Sequence, residues 1–295
     1  MGARMAIFGV VGACIVAALV VIDRHLPEWA APALLHPYRT HVHASPPNDH
    51  ENVTFSGAGV TLAGWRFPTP RPRRGTVVYL HGIADNRGSS VGVAERLTAD
   101  GFDVLAYDSR AHGDSTGDVC TYGYYEKEDL SRVIGTIPQG PVVLVGASLG
   151  AAVALQEAAE DRRVDVVVAA ETFSDLRTVA TERAPFFLTK RTIRRAFAIA
   201  ERDGRFRVDD VSPMRAAAQI KIPVLLIHGE LDRDTPSAHS TRVYDALAGP
   251  KRLLIVTKAG HNESFWRAWK DIEQWLDTWV PVAKIAAPEP GLAPR

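Results

Sequence analysis

The run Val142-Val143-Leu144-Val145 passes without a break into Gly146-Ala147-Ser148-Leu149-Gly150 and then into an alanine-rich stretch. Few backbones satisfy that order. A short apolar strand must end in a turn so sharp, and so closely packed, that its flanking positions have no room for a Cβ. Such a turn lifts the serine hydroxyl above a sheet edge. It also sets the next backbone N–H at a helix N-terminus, where it favours negative charge.

The surrounding chain fits that context. Strand-like runs recur at Asn52–Phe55, Val60–Phe67, Thr76–Leu80, Asp103–Tyr107, Val142–Val145, Val164–Ala169, Val224–Ile227 and Arg252–Val256. Helical patterns at Ser90–Ala99, Tyr124–Ile134, Leu149–Ala159, His239–Ala248 and Glu263–Thr278 alternate with the later runs. Two opening strands followed by strand–helix repeats predict an α/β domain over residues 51–280. Its sheet should be mostly parallel, with an antiparallel start and helices on both faces. Runs apolar throughout, such as Val224-Leu225-Leu226-Ile227, suit strands buried on both sides.

A serine hydroxyl is a weak nucleophile until a base takes its proton, and the base must itself be oriented. After Val224–Ile227 comes His228-Gly229-Glu230-Leu231-Asp232-Arg233-Asp234. Asp232 is the candidate acid, five residues past the strand end, with Asp234 and Glu230 as rivals. After the last strand comes Lys258-Ala259-Gly260-His261, which offers His261 as general base. Thr76–Leu80 ends in His81-Gly82-Ile83, so the Ile83 amide is expected to join that of Leu149 as an oxyanion donor. His81, Asp108, Arg110 and His112 read as hydrogen-bonded scaffolding for these loops.

Together, Gly146–Gly150, His81-Gly82, the D-x-R-x-H-G-x-S loop at Asp108–Ser115, His228-Gly229-x-x-Asp232 and Gly260-His261 resemble the α/β-hydrolase superfamily. The chain is similar to its branch of monoacylglycerol lipases, membrane-anchored lipid and acyl-protein hydrolases, and proline-type serine aminopeptidases. The resemblance implies an eight-stranded sheet, a Ser148–Asp232–His261 triad, and neither cofactor nor metal. Serine at 148, where epoxide- and carbon–halogen-cleaving members carry aspartate, makes those activities unexpected. The sequence departs from many relatives at Ser109-Arg110-Ala111, where they have glycine before the histidine. The expected activity is cleavage of a small-molecule acyl ester, thioester or lipid through an acyl-enzyme. A serine peptidase or amidase is the alternative among enzymes, and a silent binding protein on the same fold is the alternative outside them.

A cap is expected at about 171–215. Residues 177–207 carry nine arginines and lysines against Glu182, Glu201 and Asp203, interleaved with Phe186, Phe187, Leu188, Ile193, Phe197 and Ile199. Either the segment rests on an anionic bilayer and admits acyl chains, or its aromatic side packs on the sheet while the arginines are solvated. The formal net charge of zero, 34 cations against 34 anions, is thus a cancellation between a basic segment and an acidic remainder. It argues against a general nucleic-acid binder, and two cysteines exclude a disulfide framework.

At the other end, Met5–Ile22 is an uncharged, mostly apolar run of eighteen residues, about 27 Å long as a helix and close to the thickness of a bilayer core. It reads as a transmembrane anchor over 1–22, with the domain outside the cytoplasm. A cleaved signal, a lipoprotein box at Val11-Gly12-Ala13-Cys14 and a buried helix are the alternatives. Residues 23–50, with five prolines and five histidines, are expected to be a solvated linker without regular structure, and 281–295 a loose tail.

Overall fold

The computed structural model describes residues 24–47 and 49–282. The expected anchor at Met5–Ile22 and nearly all of the expected tail lie outside the described residues.

Eight strands form one sheet: β1 Glu51–Ser56, β2 Thr61–Phe67, β3 Gly75–Leu80, β4 Phe102–Tyr107, β5 Val142–Ala147, β6 Val166–Ala170, β7 Val224–Gly229 and β8 Lys251–Val256. Their spatial order is β1-β2-β4-β3-β5-β6-β7-β8. The β1–β2 and β2–β4 pairs are antiparallel and every later pair is parallel, as the strand–helix alternation predicts.

Helices cover both faces because the inner strands are apolar on both. In β5, Val142 and Leu144 join one core while Val143 and Val145 join the other, and β7 divides Val224 and Leu226 from Leu225 and Ile227 in the same way. On the first face lie α3 (Glu126–Ile134), α4 (Leu149–Ala158), α7 (Pro213–Ala217) and α8 (Ala238–Ala246). The second face carries α2 (Val91–Ala99), α9 (Ser264–Arg267) and α10 (Trp269–Trp279). The single helix expected over Glu263–Thr278 is thus two, separated at Ala268. Between β6 and α7 the chain forms α5 (Leu176–Glu182) and α6 (Lys190–Gly204), which pack as a cap around Phe173, Leu176, Phe197 and Phe206.

The expected linker is corrected by the structure. Residues 24–35 are helical (α1) despite Pro27 and Pro32. A proline within a helix loses one backbone bond, and the loss here is set against burial of Ala31 and Leu35 in the cap core. The carbonyl of Leu35 accepts from Cys120 N at 2.8 Å, and that of Leu34 from the Tyr122 hydroxyl at 3.0 Å. Beyond α1, Arg39 donates to the carbonyls of Ser115 at 2.5 Å and Gly117 at 2.9 Å. Two of the segment's histidines are engaged as well: His36 Nδ1 with the Asp118 carbonyl at 2.6 Å, and His41 with Asp114 at 2.8 Å.

Strand register decides what meets at the carboxyl edge. Leu80 pairs with Gly146, Ala147 with Ala170, Ala170 with Ile227, and Gly229 with Val256. The segments that follow β3, β5, β6, β7 and β8 therefore leave the sheet side by side.

Candidate active site

Ser148 links β5 to α4 with φ 51° and ψ −111°, a backbone that costs a non-glycine residue roughly 1–3 kcal/mol. Two glycines make the turn possible. A Cβ on Gly146 would meet the Gly150 carbonyl carbon at 2.4 Å, and one on Gly150 would meet the Leu80 oxygen at 2.1 Å. The Ser148 amide donates to Ala170 O at 2.8 Å, tying the strained turn to the end of β6.

Above this turn, Ser148 Oγ lies 3.2 Å from His261 Nε2, and His261 Nδ1 lies 2.6 Å from Asp232 Oδ2. A carboxylate only accepts, so Nδ1 carries the proton and Nε2 turns its lone pair to the serine hydroxyl. Of the three candidate acids the structure brings Asp232 to the imidazole. Asp234 turns toward Arg183, 4.0 Å away, and Glu230 accepts from the Lys258 amide at 2.9 Å.

Asp232 is held on every side. Its Oδ1 accepts from the amides of Asp234 and Thr235, both at 2.9 Å. Its Oδ2 is shared between His261 and the buried His228, whose Nε2 stands at 3.2 Å. That nitrogen also donates to Thr235 O at 2.6 Å, while His228 Nδ1 pairs with the Ser240 hydroxyl at 2.6 Å. Burial alone would raise the Asp232 pKa, but the bonds from His228, His261 and Thr235 outweigh it and hold the carboxyl well below its usual range. Burial likewise depresses His261, yet the carboxylates of Asp232, Glu171 and Asp234 carry it above its ordinary value of 6.5.

Glu171 was not singled out in the sequence. It is buried one residue past β6, at φ 58°, with Oε2 3.8 Å from His261 Nδ1. The same carboxylate accepts from the Asn262 amide and the Ser264 hydroxyl, both at 2.7 Å, so it fastens the loop carrying His261 to the sheet. An acid directly after an all-apolar strand at the active edge was the available signal.

Of the two expected oxyanion donors, Ile83 follows Gly82 and Leu149 opens α4 directly after the serine. Position 82 lies against it, since a Cβ there would come 3.7 Å from the Ser148 Cβ. The Ser109 amide donates to His81 Nε2 at 2.9 Å, which leaves the His81 proton on Nδ1, bonded to Gly82 O at 2.7 Å. A trans peptide points its N–H opposite its C=O, so this bond fixes the direction of the Ile83 amide.

The Asp108–Ser115 loop supports His81 in turn. Asp108 pairs with Arg87 and accepts from the amides of Arg87 at 2.6 Å and Asp114 at 2.7 Å. Arg110 makes a two-pronged contact with Asp129 at 2.7 and 2.8 Å. His112 packs edge-on to His81, and above all its burial pushes it down to about 4.

Among the described residues, one set of ligand-type atoms is close enough for a cation: Asp232, Asp234 and His261, within 4.8 Å of one another. Asp232 and His261 are already committed to each other by the 2.6 Å bond.

A family model described as "Alpha/beta hydrolase family" matches residues 77–275, which include most of β3, the serine turn and both loops of the site. The chain belongs to the alpha/beta hydrolase family. Among curated members, it is 29% identical over 239 residues to the uncharacterized protein YqkD of Bacillus subtilis (strain 168), covering 76% of this chain and 78% of that one. It is 25% identical over 203 residues to the mitochondrial palmitoyl-protein thioesterase ABHD10 of Mus musculus, covering 63% and 68%. Among solved structures, the Pyrococcus furiosus esterase Pf2001 superposes with a TM-score of 0.68 at 24% identity, covering 83% of this hydrolase and 99% of the esterase. At that identity the likeness speaks for the shared fold.

Proposed function

We propose that this hydrolase cleaves carboxylic esters or thioesters through an acyl-enzyme formed on Ser148. The observation that carries the reading is the unbroken line from Ser148 Oγ to His261 to Asp232, set on a strained turn. His261 Nε2 takes the serine proton as Oγ attacks the substrate carbonyl, and the amides of Ile83 and Leu149 hold the oxyanion. The imidazolium, stabilised by Asp232, then protonates the leaving alcohol or thiol. Water, deprotonated by the same nitrogen, releases the acid and restores the serine. Two likenesses support an acyl substrate: Pf2001 is described as an esterase, and ABHD10 as a palmitoyl-protein thioesterase.

A peptidase that recognises a substrate amine needs a free carboxylate near the site. The acids of α5 and α6 are engaged instead: Glu182 with His239 and Arg242, Glu201 with the Val208 amide, and Asp203 with Arg202. That favours the ester reading over the amide one.

Labelling by a fluorophosphonate probe, compared between the native chain and Ser148→Ala, tests the nucleophile. Labelling lost in the variant upholds it, and undiminished labelling refutes it. A panel of esters and thioesters of rising acyl length, run beside aminoacyl amides, tests the substrate class.

The membrane belongs to the same proposal. Met5–Ile22 acts as a single anchor with the hydrolase domain on the extracytoplasmic side, on the strength of its length and freedom from charge. Among the described residues no helix is long and apolar enough to cross a bilayer, so the proposal rests on that run alone. Resistance to alkaline carbonate extraction, with protease access from outside, is the expected result.

A further inference from the structure

Between α1 and the cap runs an open groove of about 450 Å³, walled by Leu26, Trp29, Phe187, Leu188, Ile193 and Phe197. Its rim is aromatic and wet: Trp29 is 71% exposed, Phe187 61% and Phe186 100%. The two phenylalanines lie edge to face at 5.7 Å, and Phe187 shares the groove wall with Trp29, so these exposures are neighbours rather than scattered. Large contiguous apolar surface of this kind marks an interaction site.

Directly after the patch, α6 opens with Lys190, Arg191, Arg194 and Arg195, all exposed. None of the four has an acidic partner among the described residues, whereas Arg177 and Arg202 in the same cap are paired. Cations in the first turns of a helix oppose its macrodipole, so their placement does not serve the stability of α6. Thr189 supplies the stabilising cap by accepting from the Thr192 amide at 3.1 Å.

We propose that this α1–cap face docks on an anionic lipid bilayer, the rings entering the acyl boundary and the four cations meeting the headgroups. Exposed aromatics bordered by unpaired cations match the layered chemistry of such a surface. The inference rests on reading Met5–Ile22 as an anchor, which places the patch within reach. Six residues lie between Ile22 and Trp29, at most about 25 Å of chain. A second copy of the chain is the poorer occupant, because two-fold contact through this face would set the four unpaired cations against their equivalents.

The test uses the full chain carrying Cys14→Ser and Phe186→Cys, labelled at position 186 with an environment-sensitive nitrobenzoxadiazole; Cys120 is buried. The protein is reconstituted into phosphatidylcholine vesicles with and without phosphatidylglycerol. The expected result is a blue shift and quenching by nitroxide-labelled lipid that strengthen with phosphatidylglycerol. Both should weaken in Arg191→Glu/Arg194→Glu, by roughly fivefold in partition per cation removed. Emission that ignores the vesicles, or ignores their charge, overturns the proposal. So does a shift that grows with protein concentration in the absence of lipid, which would mean self-association. Carbonate-resistant flotation is scored on the same samples. Its loss refutes the anchor, while the probe alone decides the docking. Fluorophosphonate labelling checks that each variant is folded.

Discussion

Glu171 Oε2 stands 3.8 Å from His261 Nδ1, so the imidazole has two carboxylates at the nitrogen that faces away from Ser148. The third acid near the ring is Asp234, itself 4.0 Å from Arg183 of the cap. Burial opposes the charged ring, but the three acids together raise its pKa above 6.5. Only neutral imidazole can take the serine proton, so activity should fall as acid protonates it. The acid limb of kcat/KM on a soluble ester is expected to inflect above pH 6.5. In Glu171→Gln the inflection should move down, because a negative charge beside the ring is gone. A lower rate with an unmoved inflection would leave Glu171 a purely structural tie.

Asp232→Asn should cost about 10⁴ in kcat, because an amide presents the wrong partner to Nδ1 and loses the tautomer that serves the serine. Asp234→Asn removes a carboxylate that makes no hydrogen bond to His261, and kcat should stay near that of the native chain. Comparable losses in both variants would contradict the assignment of Asp232. Single-turnover rates with a chromogenic ester make the comparison.

The bond from His81 to the Gly82 carbonyl aims the Ile83 amide, so in the proposed mechanism His81 acts on the oxyanion without touching it. His81→Phe keeps a ring in the pocket and removes the bond. Loss of one oxyanion donor costs about 10²–10³ in kcat, and the expected decrease lies at or below that range with KM little changed. A raised KM at unaltered kcat would point to a binding role. Unchanged near-ultraviolet circular dichroism would show that the loop is intact.

Most of this site was legible because the motif residues follow apolar strands whose ends the sheet aligns. Ser148, Asp232 and His261 each sit a few residues beyond such a run, and parallel register brings those ends together. Glu171 obeys the same rule, but its segment, Glu171-Thr172-Phe173, carries no motif that marks it in the sequence. Helix α1 was illegible for a different reason. Its prolines signal a break locally, while the compensating burial of Ala31 and Leu35 depends on Phe173, Phe197 and Phe206, far away in sequence. The cap divided between its two expected arrangements: Phe197 is buried in the core, whereas Phe186 and Phe187 face solvent.

Glu157, buried near the end of α4, has its pKa raised from 4.5 to about 8, first by burial and then by the neighbouring Asp161. A carboxyl whose folded pKa lies above its unfolded value stabilises the fold below the unfolded value and loses that contribution as pH rises through the folded one. Tm should therefore decline between pH 4.5 and 8. Glu157→Gln should flatten that slope, with its largest gain over the native chain at the alkaline end. An identical slope in the variant would place the carboxylate in water.

Leu35 offers the sharpest distinction between a folded α1 and a linker. Its side chain is buried among cap residues, and its carbonyl holds the Cys120 amide, so the segment before β1 is part of the hydrolase core. Leu35→Ala empties a packed site and should destabilise the domain by about 2–5 kcal/mol. Trp29→Ala, on the exposed side of the same helix, should change stability by less than about 0.5 kcal/mol. Pulse proteolysis in urea reads both variants on the full chain, with loss of fluorophosphonate labelling as a second signal of unfolding. Equal and negligible effects from the two substitutions would return residues 24–35 to a solvated linker.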